Sequence, residues 1–380
     1  MRVAFAGGGT GGHVVPGLHL VARALAEDEG LAATPSIDDL LWFTSGRPVE
    51  ERLLGSFTPP FPFERTVLEL EPPGGGAPSL ARLGTRTPRA FLAARRALSR
   101  HRSEVLVGLG GFTTLPAALA ARSLGVPVAL LEINAAPGRA TRVLSRLSTR
   151  VFHAWRGTLP PGGEDRRERL VGAPVAPEVT RVSDDPATTH AAREALGFAA
   201  DAPLLVVLGG SQGAGSLNAF LRDHVAALRE AGLQVLHQCG PGRRDEAPED
   251  GPGRRVVEFL SPVAPALQAA TLVLCRGGAS TLAEVAAARR PAIVVPYPHH
   301  ADRHQERNAL ELAAGVRLVA DDALDEALAR ELIELAGESG LDARRAMSSA
   351  LEGCAARDAA GALLRELGDL AGGDREKPSS

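Results

Sequence analysis

Apolar runs the length of single strands recur along the chain at 3–6, 40–44, 67–70, 105–108, 128–131 and 150–153. Between them, at 15–27, 79–101, 115–123 and 137–147, apolar positions return every three or four residues. Continuous apolar runs suit strands buried on both faces, and the 3.6-residue period suits the helices that cover them. Their alternation predicts a parallel sheet wrapped on both sides. The pattern then starts again. "PLLVVLGGSQGAGSLNAFL" at 203–221 reads as strand, glycine turn and helix, with further strands at 234–238, 256–259, 271–275 and 292–295. Two α/β units are expected, joined within 172–186, which is rich in proline and turn formers. The polar stretch 240–254 reads as a surface loop, and the tail after Gly372 as disordered.

Bulk properties narrow this picture. A chain of 380 residues exceeds one ordinary core. A net charge of -3 gives no reason to expect a nucleic-acid partner. The three cysteines, Cys239, Cys275 and Cys354, are far apart and form no C-x-x-C, which fits a reducing compartment without disulfides or a thiolate zinc site. No run approaches the roughly 18 apolar residues needed to cross a bilayer. No signal peptide is visible, so a cytoplasmic location is expected, compatible with lying on a membrane surface.

The chemistry concentrates where strands end in glycines. Gly7, Gly9 and Gly12 satisfy the dinucleotide pattern G-x-G-x-x-G, which also requires an acidic residue at the end of the second strand. That strand ends in Thr44 and Ser45, so a nicotinamide or flavin enzyme is not favoured. "GLGGFTTLPAALAA" at 108–121 and "GGSQGAGS" at 209–216 are further loops whose amides can approach an anion at a helix N-terminus. In "CRGGASTLAEVAAARRPAIVVPYPHHADRHQERNAL" at 275–310 a helix is expected from about Thr281. Glu284 then falls in the first turn, either as a cap or as a carboxylate for the hydroxyls of a ribose. His300 and His304 have the i, i+4 spacing of a zinc pair, but no third ligand follows, so no metal site is expected.

These segments together resemble the MurG family, which adds N-acetylglucosamine to the lipid-linked muramyl-pentapeptide precursor of peptidoglycan. The resemblance is carried in order by "GGGTGGHVVPGL", "GLGGFTTLP", "EINAAPGRATRVLS", "GGSQGAGSLN", "CRGGASTLAEVAAARRPAIVVPYP" and "HQERNAL". It implies a fold of the GT-B type, two Rossmann-like domains with mostly parallel sheets facing across a cleft. The domains are expected at 1–173 and 174–352, with a helix at about 353–371 packing back on the first and a disordered tail at 372–380. It further implies an inverting reaction without metal or other cofactor. UDP-N-acetylglucosamine (UDP-GlcNAc) is the implied donor, and an undecaprenyl-linked muramyl peptide in the cytoplasmic leaflet the implied acceptor. Carried over to this sequence, Ala279, Ser280, Thr281, Leu282, Ala283 and Glu284 hold uridine and ribose, with Glu284 on the ribose hydroxyls. Leu260 offers backbone to the uracil, Ser211 meets the diphosphate and Gln305 the sugar. Thr10, Gly11, Gly12 and Asn134 meet the donor sugar from the first domain. The opening glycine amides are expected to face the diphosphate.

A metal-free transfer needs a base for the attacking hydroxyl, and His13 is the residue whose chemistry suits it near neutral pH. Its alternative role is to support the glycine turn. The stretch 79–102 holds Arg86, Arg89, Arg95 and Arg96 with Phe91 among them and no acidic residue, which suits anionic lipid as well as a solvated helix face. Five positions depart from the family pattern. Leu131 and Ile133 flank Glu132 where histidine and glutamine are usual, and Phe112 and Thr114 replace tyrosine and serine. Ala176 stands where an arginine is expected near the phosphates, with Arg276 and Arg303 as replacements. The alternatives are a related transferase acting on another lipid or small molecule, and a non-catalytic scaffold that binds UDP-sugar.

Overall fold

The computed structural model describes residues 1–26, 31–70, 80–299 and 302–372, without the side chains of 80–85, 139, 140 and 313. His300, the side chain of Arg82 and the tail from 373 lie outside these residues. Contacts divide the chain into two units. One comprises Met1–Pro174 and the chain from Asp358 onward, the other Val175–Arg357.

The first unit holds β1 (Arg2–Gly7), β2 (Asp39–Thr44), β3 (Phe63–Val67), β4 (Val105–Gly110), β5 (Val128–Glu132), β6 (Arg150–His153) and β7 (Glu168–Leu170). They form one sheet in the order β3-β2-β1-β4-β5-β6-β7, and every pairing is parallel. The second unit holds β8 (Leu204–Leu208), β9 (Gln234–Gln238), β10 (Arg254–Val257), β11 (Leu272–Cys275), β12 (Ala292–Val294) and β13 (Val316–Leu318). Its order is β10-β9-β8-β11-β12-β13, again all parallel. Counted from each unit's first strand, the two orders coincide over six strands, and β7 extends the first sheet by one: two Rossmann-like domains, the architecture of the GT-B type. In such sheets ligands bind beyond the strand C-termini where the order reverses. That point lies between β1 and β4 in one unit and between β8 and β11 in the other, and all four strands run into glycine turns.

Three differences from the sequence expectation matter. The strand expected at 67–70 lies instead at Phe63–Val67. Leu68 and Leu70 are buried but follow the ladder, so their apolar signal comes from plugging the core. The first helix starts at Gly11, four residues earlier than its apolar period, which puts His13 in its first turn. The stretch 240–254 is only partly a surface loop. Ala247 is buried, and a Cβ at Gly240 would lie 2.3 Å from Gly213 Cα in the glycine turn after β8.

Side-chain anchors tie helix Gly11–Leu25 into the first unit. His19 Nδ1 donates to Pro174 O at 2.9 Å. Arg23 is 4% exposed and forms a bidentate pair with Asp358, at 2.8 and 3.2 Å, at the foot of helix Ala359–Gly372.

Candidate functional site

The first unit's turn is built around glycines that have no room for a side chain. A Cβ at Gly7 would meet His13 O at 2.4 Å, and one at Gly8 would meet Glu50 Oε1 at 2.3 Å. Gly9 has φ 88°, open to glycine at little cost. Gly12 is different, because its nearest neighbour for a Cβ is Thr10 Oγ1 at 3.8 Å, so packing does not explain its size.

His13 is held by this turn. Its Nδ1 lies 2.8 Å from Gly8 O and 3.3 Å from Thr10 Oγ1. A carbonyl only accepts, so Nδ1 carries the proton and Nε2 keeps the lone pair in the neutral ring. The ring lies against the turn after β4. A Cβ at Gly110 would come within 2.9 Å of Nε2, and one at Gly111 within 3.2 Å of Nδ1. Burial lowers the His13 pKa from 6.5, while the Gly8 carbonyl and Glu132 oppose that shift. The imidazole is therefore neutral at pH 7, as a proton acceptor must be.

Two buried carboxylates set the loops around it. Glu132 Oε2 accepts from Gly138 N at 2.7 Å and Thr141 Oγ1 at 2.6 Å, and its Oε1 accepts from Asn134 N at 3.1 Å. This fixes Asn134 beside β5. Glu50, 1% exposed, lies in helix Pro48–Leu54 just after β2. Its Oε1 accepts from Gly9 N at 2.6 Å and Ser45 Oγ at 2.6 Å, and its Oε2 from Gly46 N at 2.7 Å and Arg47 N at 2.9 Å. The sequence reading missed this residue. A carboxylate does stand at the end of the second strand, but it faces inward. The Gly9 amide, expected to face a diphosphate, donates to it instead. The signal available was "RPVEE", a proline-led helix start with glutamate three residues after its cap.

In the second unit, helix Ala279–Ala287 opens two residues earlier than expected. Glu284 therefore sits in the second turn, and its capping role is excluded. It is 9% exposed, and burial pushes its pKa up to about 8. Ala279, Leu282 and Ala283 point into the core, while Ser280 and Thr281 are half-buried. The Ser280 hydroxyl is a buried polar atom without a hydrogen-bond partner. Gln305 Oε1 accepts from Gly277 N at 3.1 Å and Tyr297 N at 2.9 Å, which leaves its amide NH₂ as the donor. Gln238 joins two more of the expected residues' surroundings. It donates to Gly210 O at 2.8 Å and accepts from Leu260 N at 3.4 Å. Ser211 is half-buried in the turn between them.

Neither replacement expected for Ala176 is at liberty. Arg276 is fixed by Asp321 at 2.6 Å, Ser216 Oγ at 2.6 Å and Val295 O at 3.0 Å. Arg303 pairs with Glu306 at 2.5 Å on the surface. Arg243, which the sequence reading passed over, packs on the glycine turn instead. A Cβ at Gly213 would lie 2.9 Å from its Cδ, and one at Gly215 3.3 Å from its Nη1. That Nη1 meets Glu246 at 2.8 Å. His304 Nδ1 is bonded to Asp302 at 2.8 Å. Among the described residues no three His, Cys, Asp or Glu side chains cluster as metal ligands.

Along helix Leu80–His101, Arg89, Arg95 and Arg96 are exposed, and at this spacing they share a face with Leu92, which is 51% exposed. Arg86 donates to Glu69 O at 3.1 Å. Phe91 leans on the core cluster of Ala90, Ala94 and Leu98, so among the described side chains of this helix Leu92 is the large apolar one on the outer face. Among the described residues no helix is long and apolar enough to cross a membrane.

Both units match domains of glycosyltransferase family 28. The N-terminal domain of that family covers residues 3–153 and its C-terminal domain 204–360. A protein of Sorangium cellulosum named UDP-N-acetylglucosamine–N-acetylmuramyl-(pentapeptide) pyrophosphoryl-undecaprenol N-acetylglucosamine transferase is 38% identical over 99% of this chain and 90% of its own. A protein of the same name from Frankia casuarinae is 37% identical over 97% and 96%. The crystal structure of Acinetobacter baumannii MurG is 26% identical, with a TM-score of 0.68 over 97% of this chain and 99% of its own. The calicheamicin glycosyltransferase CalG4 shares the fold at 17% identity, with a TM-score of 0.64. The chain belongs to the MurG family.

Proposed function

We propose that this protein transfers N-acetylglucosamine from UDP-GlcNAc to the 4-hydroxyl of the muramyl sugar of an undecaprenyl-pyrophosphoryl muramyl-pentapeptide. The observation that carries this reading is the match along almost the whole chain to relatives bearing that activity in their names. The geometry supports the following chemistry for it. The acceptor hydroxyl attacks the anomeric carbon, the bond to UDP breaks, and configuration inverts. His13 Nε2 takes the hydroxyl proton. Nδ1 is already committed to Gly8 O, so the lone pair is offered at one nitrogen.

UDP leaves with added negative charge, which backbone amides at helix N-termini can stabilise. The Ser211 turn and the start of helix Ala279–Ala287 supply them, with Ser280 and Thr281 beside uridine and ribose and Leu260 backbone toward the uracil. Arg243, packed on that turn, exchanges its Glu246 partner for the diphosphate and takes the place of the arginine missing at Ala176. Glu284 accepts the ribose hydroxyls, and the Gln305 amide donates to the sugar. Thr10, Gly11, Gly12 and Asn134 complete the sugar contacts, and the bare Cα of Gly12 leaves room for a close approach. The protein attaches to the membrane surface from its cytoplasmic side. Arg89, Arg95, Arg96 and Leu92 face the lipid, while Arg86 and Phe91 support the helix.

The test is incubation with UDP-GlcNAc and purified lipid-linked muramyl peptide. A disaccharide-bearing lipid and free UDP are expected. Transfer to a plain diacylglycerol and none to the muramyl lipid would overturn the reading.

A further inference from the structure

The carboxylate of Glu50 and the imidazole of His13 do not touch, yet one peptide unit joins them. The N–H of Gly9 donates to Glu50 Oε1 at 2.6 Å. The carbonyl of that same peptide, Gly8 O, accepts from His13 Nδ1 at 2.8 Å. We propose that Glu50 is a positioning residue for His13, acting through the Gly8–Gly9 peptide. The inference rests on the base role given to His13 above.

A carboxylate that pulls on a peptide N–H polarises the amide and makes its carbonyl a stronger acceptor. That carbonyl then holds the Nδ1 proton more firmly and keeps the lone pair on Nε2. A carboxylate beside a catalytic histidine does the same directly; here an amide is interposed.

Several features serve this arrangement. Gly8 has no side chain, and a Cβ there would lie 2.3 Å from Oε1. Glu50 is itself over-determined. Ser45 N, Ser45 Oγ, Gly46 N and Arg47 N all donate to it, so its oxygens cannot swing away from Gly9. Arg47 Nη1 donates to Gly9 O at 3.1 Å and holds the next peptide of the turn. A carboxylate needed only to start helix Pro48–Leu54 has its partners in Gly46 and Arg47 and no use for a glycine 41 residues earlier. The charged groups acting on His13 are Glu132 and Glu50, which favour its protonated form, and Arg47, which opposes it.

The test compares wild type with Glu50→Gln by ¹⁵N-histidine NMR titration and by steady-state transfer kinetics. Glu50→Gln is expected to lower the His13 titration midpoint and to reduce the share of the Nδ1–H tautomer. It should cut kcat about 10- to 100-fold, the usual cost of losing an orienting partner, with KM for UDP-GlcNAc changed less than about 3-fold because the uridine and diphosphate contacts are given to the other unit. If Glu50→Gln does not fold, Ser45→Ala, which loosens one Glu50 oxygen, should move tautomer and kcat in the same direction by a smaller factor. An unchanged tautomer and midpoint in the folded variant would overturn the inference. A wild type that transfers no sugar would overturn the functional reading, while the His13 titration still decides this one.

Discussion

The two units share one strand order and place a glycine turn after the same strand, yet they treat that turn in opposite ways. In the first unit the Gly9 amide is answered from within by Glu50, which is buried and surrounded by donors. In the second, no carboxylate among the described residues is bonded to the Ser211 or Gln212 amides, and Arg243 lies across the turn with Glu246 beside it. The first turn thus carries a buried carboxylate of its own, while the second is lined by the Arg243–Glu246 pair, with the arginine against Gly213. A carboxylate repels an anion from the first turn, and the proposed reading places the diphosphate at the second. A shared fold does not fix which loop takes phosphate; the side chain that closes each loop does. In the proposed reading the first loop places His13 and the second takes the diphosphate.

The sharpest way to break this division is to remove the base. His13→Ala should lower kcat by about 10² to 10⁴ and leave UDP affinity nearly unchanged, as read by kinetics and calorimetry. A large loss of UDP affinity would mean that the first turn binds the nucleotide. In wild type the acid limb of kcat should fall below pH 6.5, because burial lowers the His13 pKa and the base stays neutral further into acid.

The next largest effect concerns the membrane face, which the proposal gives to the first unit. Reversing Arg89, Arg95 and Arg96 to glutamate should weaken binding to vesicles rich in anionic lipid at least about 100-fold, since each basic residue contributes roughly 1 kcal/mol. Sedimentation with such vesicles, against neutral ones, measures it.

Glu284→Gln sharpens the second unit's side. Ribose hydroxyls donating to the carboxyl favour its charged form, and losing a charged hydrogen bond of about 2 kcal/mol should raise KM for UDP-GlcNAc about 30-fold. The same variant has a pH signature. The folded pKa of about 8 lies above the ordinary 4.5, so wild type has the full benefit of the protonated carboxyl below pH 4.5. It loses about 1.4 kcal/mol per pH unit as pH rises toward 8. Thermal melting without ligand should show Glu284→Gln gaining on wild type across that range. No relative gain would show that the carboxyl is not buried in its charged-disfavouring site.

The smallest expected effect is that of Arg243→Ala, a rise of about 10-fold in donor KM if one charged contact to the diphosphate is lost. UDP affinity should fall with it and uridine affinity should not.

Much of this was legible in the sequence. Strands buried on both faces announced themselves as apolar runs, and glycines at their ends marked the turns. Misread elements were those whose signal is not local. Phe63–Val67 is an exposed edge strand with Glu64 and Arg65 in it, and its place is set by pairing with β2. The start of helix Ala279–Ala287 was hidden because two glycines precede it and serine and threonine stand in its first turn. Glu50 is 41 residues from the amide it accepts, and Arg243 lies in a stretch whose polarity reads as surface. Such contacts follow from which strand neighbours which, and only the strand order brings them together.

The most direct measurement of the central claim is a crystal structure with UDP bound. Phosphate oxygens should lie within hydrogen-bonding distance of the Ser211 turn and of Arg243, with Gly9 N–H still donating to Glu50. A diphosphate on the Gly9 amide, with Glu50 displaced from it, would contradict the account.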